Sequence, residues 1–148
     1  MIEMKDSTIQ WDVERVEILI EDARRAGRTA ATARMLALQT AGPKWNVIDE
    51  TFGHHLDEQG KQKAGWQMLD VCGDAHIAIA NRRGSFWRSL LALGKERSER
   101  IYVSREGWLE IFDMTGRQEM SVNEAAHEAA AIVLRNAGIA CSVHTRID

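Results

Sequence analysis

The sequence is poor in the residues that crosslink a chain or anchor it. Its two cysteines, Cys72 and Cys141, lie far apart, and no Asn-x-Ser/Thr acceptor occurs. The longest apolar run, Ala129 to Leu134, has six residues, far short of the roughly 20 that a membrane helix needs. The acidic N-terminus is unlike a secretory signal. These absences predict a cytoplasmic protein with no membrane segment, in which both cysteines are free thiols.

Motifs of catalysis are missing as well. The glycines form neither G-x-x-x-x-G-K-S/T nor G-x-G-x-x-G, and no G-x-S-x-G element occurs. The sequence therefore argues against nucleotide hydrolysis, dinucleotide-dependent redox chemistry and α/β-hydrolase activity. With 148 residues, 45% hydrophobic and 28% charged, the chain is large enough to bury a core without a cofactor or a structural metal. A non-enzymatic protein is the favoured interpretation.

Apolar periodicity predicts helices in the first half of the chain. A three-to-four spacing predicts a helix over 9–26 that ends near Gly27, and an alanine-rich segment predicts a second helix over 29–40. Residues 44–60 favour a short helix or a partly ordered loop. Residues 61–72 favour a helix, whereas 75–93 fit a helix and a strand equally well.

The last third carries clearer signals. Two β-branched and aromatic runs, 101–104 and 108–112, flank Gly107 and predict a hairpin. Ser121 and Glu124 have capping-box spacing, which predicts a helix over 122–137 that ends at Gly138. Its predicted buried stripe contains Val122, Ala125 or Ala126, Ala129, Ile132 and Val133. Alternation over 139–147 predicts a half-buried strand.

The predicted fold class is α+β, with a helical N-terminal half followed by a small antiparallel sheet packed against a C-terminal helix. The hairpin and the C-terminal strand form that sheet. We expect a single domain over 1–148, comprising a helical segment (1–42), a mixed middle (43–98) and a β-β-α-β unit (99–148).

Charge is unevenly distributed along the chain. Residues 3–22 hold seven acids and two bases, whereas 82–105 hold seven bases and two acids. Arginines interleaved with aromatic residues are typical of surfaces that bind nucleic acid, although a solvated protein surface has the same composition. The opposite signs are also compatible with a homodimer. The candidate residues for binding nucleic acid or protein are Arg82, Arg83, Phe86, Trp87, Arg88, Arg97 and Arg100.

Five tryptophans are many for this length. Tryptophan is enriched in buried protein contacts as well as in cores. Trp45 and Trp66 lie in segments of weak periodicity. They are therefore the candidate anchors for a protein partner.

Two groups of residues that contain histidine are candidate metal sites. His54 and His55 with Asp57 and Glu58 would suit a small metal-dependent hydrolase, although a polar surface turn is the favoured interpretation. Cys72-x3-His76 and Cys141-x2-His144 resemble two halves of a zinc site. Residues three apart on a strand, however, point to opposite faces, so Cys141 and His144 should diverge. No metal or cofactor is predicted, and His127 is expected at the surface beside Glu124 and Glu128.

One family resemblance rests on the order of three elements. These are an aromatic strand at Gly84–Trp87, the hairpin, and the Ser-x-x-Glu-Ala-Ala start of a helix at Ser121–Ala126. The order is similar to the tail of small plasmid and phage antirestriction or anti-defence proteins. The resemblance implies an inhibitor from a mobile element, and it assigns no residue a role.

The sequence thus favours a small non-enzymatic cytosolic binding protein that acts as a regulator, adaptor or inhibitor of another macromolecule. A protein partner is the leading expectation. Nucleic-acid binding through 82–105 is the first alternative, and a hydrolase at 54–58 is the second.

Overall fold

The α+β prediction is confirmed by a computed structural model that describes residues 9–42, 45–48, 65–68, 70–116 and 119–147. Within these ranges the chain forms three helices and six strands. None of these helices is sufficiently long and apolar to cross a bilayer. The helices are α1 (Val13–Ala41), α2 (Gly84–Glu96) and α3 (Met120–Asn136), and the strands are β1 (Trp45–Ile48), β2 (Gly65–Met68), β3 (Gly73–Ile79), β4 (Ile101–Val103), β5 (Trp108–Ile111) and β6 (Cys141–Ile147).

The main sheet has four strands in the order β4-β5-β3-β6, and every neighbouring pair is antiparallel. Its chain order, β3-α2-β4-β5-α3-β6, gives the split β-α-β connectivity of ferredoxin-like folds. The predicted hairpin is confirmed as β4 and β5, and the predicted C-terminal strand is confirmed as β6. Strands β1 and β2 form a separate antiparallel ribbon.

The core lies on one face of this sheet. Burial alternates along β3, with Ala75, Ile77 and Ile79 buried and the intervening residues partly exposed. Leu109 and Ile111 of β5 point the same way. Helix α3 packs on β3 and β6, while α2 packs on β4. Because side chains alternate along a strand, the residues between these buried positions lie on the opposite face.

Helix α1 packs mainly against α3 rather than against the sheet. Its buried stripe narrows to small residues, Ala23, Gly27 and Ala31. A Cβ atom built on Gly27 would lie 3.0 Å from the carbonyl oxygen of Ala126 and would also overlap the Met114 side chain. The two helices therefore approach as closely as they do because residue 27 has no side chain.

The expected break at Gly27 is wrong, since a single helix of 29 residues runs through it. Glycine costs about 1 kcal/mol in a helix interior relative to alanine. Here the contact between α1 and α3 outweighs that cost. The helix begins after Asp12, whose carboxylate accepts a hydrogen bond from the Arg15 amide at 2.8 Å.

We predict that Gly27→Leu destabilises the protein by about 1–3 kcal/mol, because a larger side chain must separate α1 from α3. The control is Ala33→Leu, at an exposed position of the same helix. Urea unfolding of both variants tests this prediction. Equal stability of the two variants would contradict the close packing at Gly27.

The middle of the chain differs most from its prediction. The helix expected over 61–72 is wrong, because 65–68 form β2. The segment 44–60 contains β1 at 45–48, where a helix or loop was expected. The ambiguous stretch 75–93 divides into the end of β3 and the start of α2. Gly84–Trp87 is thus the first turn of a helix, so the aromatic strand behind the family resemblance is absent.

The start of α3 is capped from a distance. The predicted capping box of Ser121 and Glu124 is wrong, because the helix already begins at Met120. The Ser121 amide instead donates to the buried carboxylate of Asp70 at 3.1 Å. Arg34 of α1 donates to the Ser121 hydroxyl at 3.2 Å. The termination at Gly138 is confirmed by its positive φ of 92°.

The buried stripe of α3 differs from its prediction. Val122 and Ala126 are buried as expected, whereas Ala129 and Val133 are only partly buried. The other buried apolar residues of the helix are Ala130, Ala131 and Leu134. Ile132 is 51% exposed, although it was expected to be buried.

His127 was expected at the surface, yet it is only 4% exposed. Its Nδ1 lies 3.0 Å from the Asn123 carbonyl, and its Nε2 accepts a hydrogen bond from the Ile111 amide at 3.4 Å. Burial lowers the pKa of His127, so its neutral form joins α3 to β5.

This burial predicts that acid destabilises the fold. A histidine whose pKa is lower in the folded state than its ordinary value of 6.5 takes up a proton first in the unfolded chain. The free energy of unfolding should therefore fall as the pH drops below about 6.5. Urea unfolding between pH 7.5 and 5.5 measures this slope.

The slope should become shallower in His127→Gln and keep most of its value in His144→Gln, at an exposed position. Identical slopes for His127→Gln and the unsubstituted protein would show that another group carries the acid sensitivity.

Candidate functional site: the open face of the sheet

One face of the four-stranded sheet is not covered by any of the described helices. We call it the open face. Its residues occupy the alternate positions of the four strands, opposite the buried side chains. Burial and register place the following residues on it: Asp74, His76, Ala78, Tyr102, Trp108, Glu110, Ser142, His144 and Arg146.

Aromatic and imidazole rings cover the middle of the open face. Trp108 is 45% exposed and Tyr102 is 53% exposed. The ring of His76 stacks on Trp108 with 4.3 Å between centroids and 25° between planes. His144 pairs with His76 across the strands, with 5.7 Å between their ring centroids. Large exposed aromatic side chains that are fixed by stacking are typical of contact surfaces.

A cleft of about 240 Å³ opens beside these rings. Its walls come from all four strands and from the turn between β4 and β5. The residues that line it are Asp74, Ala75, His76, Tyr102, Glu106, Trp108, Glu110 and Arg146.

The β4–β5 turn is held in place by Gly107. This residue has a φ of 99°, a backbone conformation that residues with a Cβ atom rarely adopt. Its carbonyl accepts a hydrogen bond of 2.7 Å from the Ile79 amide, and a Cβ atom here would lie 3.0 Å from the Ile79 carbonyl oxygen. The turn is therefore fixed to the end of β3, and Glu106 and Trp108 are the neighbours of Gly107 in the chain.

The cleft has an excess of negative charge. Asp74 and Arg146 form an ion pair of 3.0 Å, which neutralises both groups. Glu106 and Glu110, in contrast, form no ion pair with any of the described residues. Burial raises the pKa of Glu110, and the charge of Asp74 raises it further. Burial and the neighbouring His144 lower the pKa of His76, which favours its neutral form.

The expected divergence of Cys141 and His144 is confirmed. His144 lies on the open face, whereas the Cys141 thiol points to the helices and lies 3.7 Å from the Ala131 carbonyl oxygen. Burial raises the pKa of this thiol. The two cysteines are not joined by a disulfide bond, and the described residues contain no group of three or more side chains suited to a metal ion. His54, His55, Asp57 and Glu58 lie outside the described residues.

Two of the three aromatic residues of the basic segment, Phe86 and Trp87, are in the core, whereas Tyr102 lies on the open face. Phe86 and Trp87 are 6% and 7% exposed, and Trp11 contacts Phe86 edge-to-face at 5.4 Å. These two rings therefore present no stacking surface to solvent. Of the tryptophans proposed as anchors, Trp45 pairs with Met68 and Trp66 with Val47 in the β1–β2 ribbon.

The arginines of the basic segment lie in different surroundings. Arg97 donates to Glu17 at 2.9 Å, and Arg100 donates to Glu21 at 3.1 Å. Arg82 donates to the Arg105 carbonyl at 3.0 Å, whereas Arg83 and Arg88 are exposed. The acidic and basic segments thus pair within one chain. A binding role for these arginines stays a prediction.

We predict that Arg97 and Glu17 interact weakly. Both side chains are partly exposed, so water screens their attraction. A double-mutant cycle of Arg97→Ala and Glu17→Ala should give a coupling energy of about 0.2–1 kcal/mol. Thermal or urea unfolding measures it. A coupling of zero would show that this ion pair does not position α1.

The open face was missed in the sequence because no motif marks it. The one available signal was alternation, since the pattern that buries Leu109 and Ile111 also exposes Trp108 and Glu110. The same signal did not reveal which residues of β3, the partner of β5, face the same side. Residues 75–93 fit two secondary structures, so the position of His76 beside Trp108 was not foreseeable.

No protein-family model, curated protein or solved structure matches this chain. The ferredoxin-like connectivity describes its fold only, since one connectivity serves many unrelated functions. Function is therefore argued from the chemistry of the open face.

Proposed function

We propose that this chain is a non-enzymatic binding protein and that its open face contacts a protein partner. One observation carries the proposal: Tyr102 and Trp108 are about half exposed on a sheet face that none of the described helices covers. Tryptophan and tyrosine are the residues that most often dominate the binding energy of protein interfaces. A role as a regulator, adaptor or inhibitor in the cytoplasm fits this surface.

The fixed geometry of the open face supports the same proposal. Stacking of His76 on Trp108 and the hydrogen bond from Ile79 to Gly107 hold the aromatic side chains before any partner arrives. Binding through such a surface orders few new side chains. The entropic cost of association is correspondingly low.

Nucleic acid is the weaker candidate for this face. Four-stranded sheets with exposed aromatic residues do stack bases in some RNA-binding folds. A phosphate backbone, however, would meet the carboxylates of Glu106 and Glu110, whereas Arg146, the one arginine among the described residues that line the cleft, is already paired with Asp74. Electrostatic attraction to phosphates supplies much of nucleic-acid affinity, so this charge balance favours a protein partner.

The test is selection of random peptides displayed on phage against the immobilised protein. We expect the selected peptides to bind about tenfold or more weakly to Trp108→Ala, because loss of a central aromatic anchor has an effect of this size. Ile132→Ala, at an exposed position of α3, is the matched control and should bind them normally. Circular dichroism of both variants verifies that they fold.

Peptides that bind Trp108→Ala as well as they bind the unsubstituted protein would overturn the proposal. A 15-nucleotide oligo(dT) titrated at 50 and 300 mM salt tests the alternative. Binding that weakens steeply with salt and is lost in Trp108→Ala would assign the open face to nucleic acid instead.

A further inference from the structure

We propose that the cleft of the open face binds a lysine or arginine side chain of the partner, placed against Tyr102 and Trp108 and opposite Glu106 and Glu110. This inference rests on the proposed function and names the chemistry of its ligand. The bound group is a single cation on a protein segment.

The size of the cleft favours one side chain over a cofactor. Its volume is about 240 Å³, below the range of roughly 300–1,000 Å³ that is usual for small-molecule sites. The cleft also opens along the surface of the sheet. An extended segment lying across the strands could therefore insert one residue into it.

The aromatic walls suit a cation. The faces of tryptophan and tyrosine rings carry negative potential, and they attract ammonium and guanidinium groups within about 6 Å of the ring centroid. Trp108 and Tyr102 stand on neighbouring strands, and both line the cleft. A guanidinium group can also stack on these rings, since it is planar.

The charges in the cleft select the sign of the ligand. The charge of Arg146 favours the ionised form of Glu110, but Arg146 is held in its ion pair with Asp74. Neither Glu106 nor Glu110 forms an ion pair with any described residue. Glu110 is partly buried, and burial together with the charge of Asp74 raises the pKa of its carboxyl. A cation placed beside it compensates this charge. An anionic group would be repelled, and an apolar group would leave the two carboxylates uncompensated and less hydrated.

Two capped hexapeptides serve as probes, with the sequences Gly-Ser-Gly-Arg-Gly-Ser and Gly-Ser-Gly-Cit-Gly-Ser. Citrulline (Cit) keeps the shape of arginine and lacks its charge. Each is titrated into ¹⁵N-labelled protein while the indole N–H signals are followed by NMR, with the Trp108 signal assigned by its absence from Trp108→Phe. We expect the arginine peptide to shift the Trp108 signal with a dissociation constant about three- to tenfold lower than that of the citrulline peptide.

Charge-neutral variants identify the carboxylates that contribute. Glu110→Gln and Glu106→Gln should each weaken binding of the arginine peptide about two- to fivefold and leave the citrulline peptide unaffected. Glu99→Gln, at an exposed position outside the cleft, is the control and should bind both peptides normally. Glu106 lies in an exposed turn, so its variant remains informative if Glu110→Gln is unstable.

Equal affinity for the arginine and citrulline peptides, or normal arginine binding by both glutamine variants, would overturn the inference. A Trp108 signal that shifts with protein concentration alone would also overturn it, since a second copy of the chain would then be the ligand.

Failure of this inference can be told apart from failure of the proposed function. If the phage-selected peptides lose affinity for Trp108→Ala but carry no excess of lysine or arginine, the open face binds a partner and the cationic ligand is wrong. If those peptides bind Trp108→Ala normally, the proposed function itself is wrong.

Discussion

The close approach of α1 to α3 at Gly27 keeps α1 away from the open face of the sheet. Helix α1 has one apolar stripe, and its small residues let that stripe pack against α3 at short range. The helix therefore adds a layer on the side of the sheet that α3 already covers. None of the described helices is left to cover the second face, and this is the reason that Trp108 and Tyr102 stay exposed.

Pairing within the chain uses much of the charge that the sequence separates. Glu17 and Glu21 lie one turn apart on α1, and they meet Arg97 and Arg100 just after α2. Such partly exposed pairs contribute little to stability. They are nevertheless consistent with the packing of α1 beside α2. Oppositely charged segments in a sequence therefore indicate an intramolecular contact as readily as a partner. Among the residues that line the cleft, Glu106 of the turn and Glu110 of the open face form no ion pair with the described part of the chain.

The elements that were predictable from the sequence are those whose signals are local. Runs of β-branched and aromatic residues on both sides of Gly107 predicted β4 and β5, and the glycine marked the turn because few other residues adopt a positive φ. Distant contacts explain the misassigned elements. Gly27 lies inside a helix because of its contact with Ala126, and the amide of Ser121 is capped by Asp70, 51 residues earlier in the chain. His127 reads as a surface residue between two glutamates, yet its imidazole satisfies the Ile111 amide in the core.

The candidate site was less predictable than the fold for a related reason. A strand that buries every second residue must expose the others, so the residues that build the core of β5 also determine what the open face presents. Leu109 and Ile111 hold β5 against the helices, and thereby direct Trp108 and Glu110 to the opposite side. A one-residue shift in the register of β5 would bury Trp108 and Glu110 and expose the two aliphatic residues. The side chains that the open face presents therefore depend on the Gly107 turn, whose carbonyl helps to fix that register by accepting a hydrogen bond from the Ile79 amide.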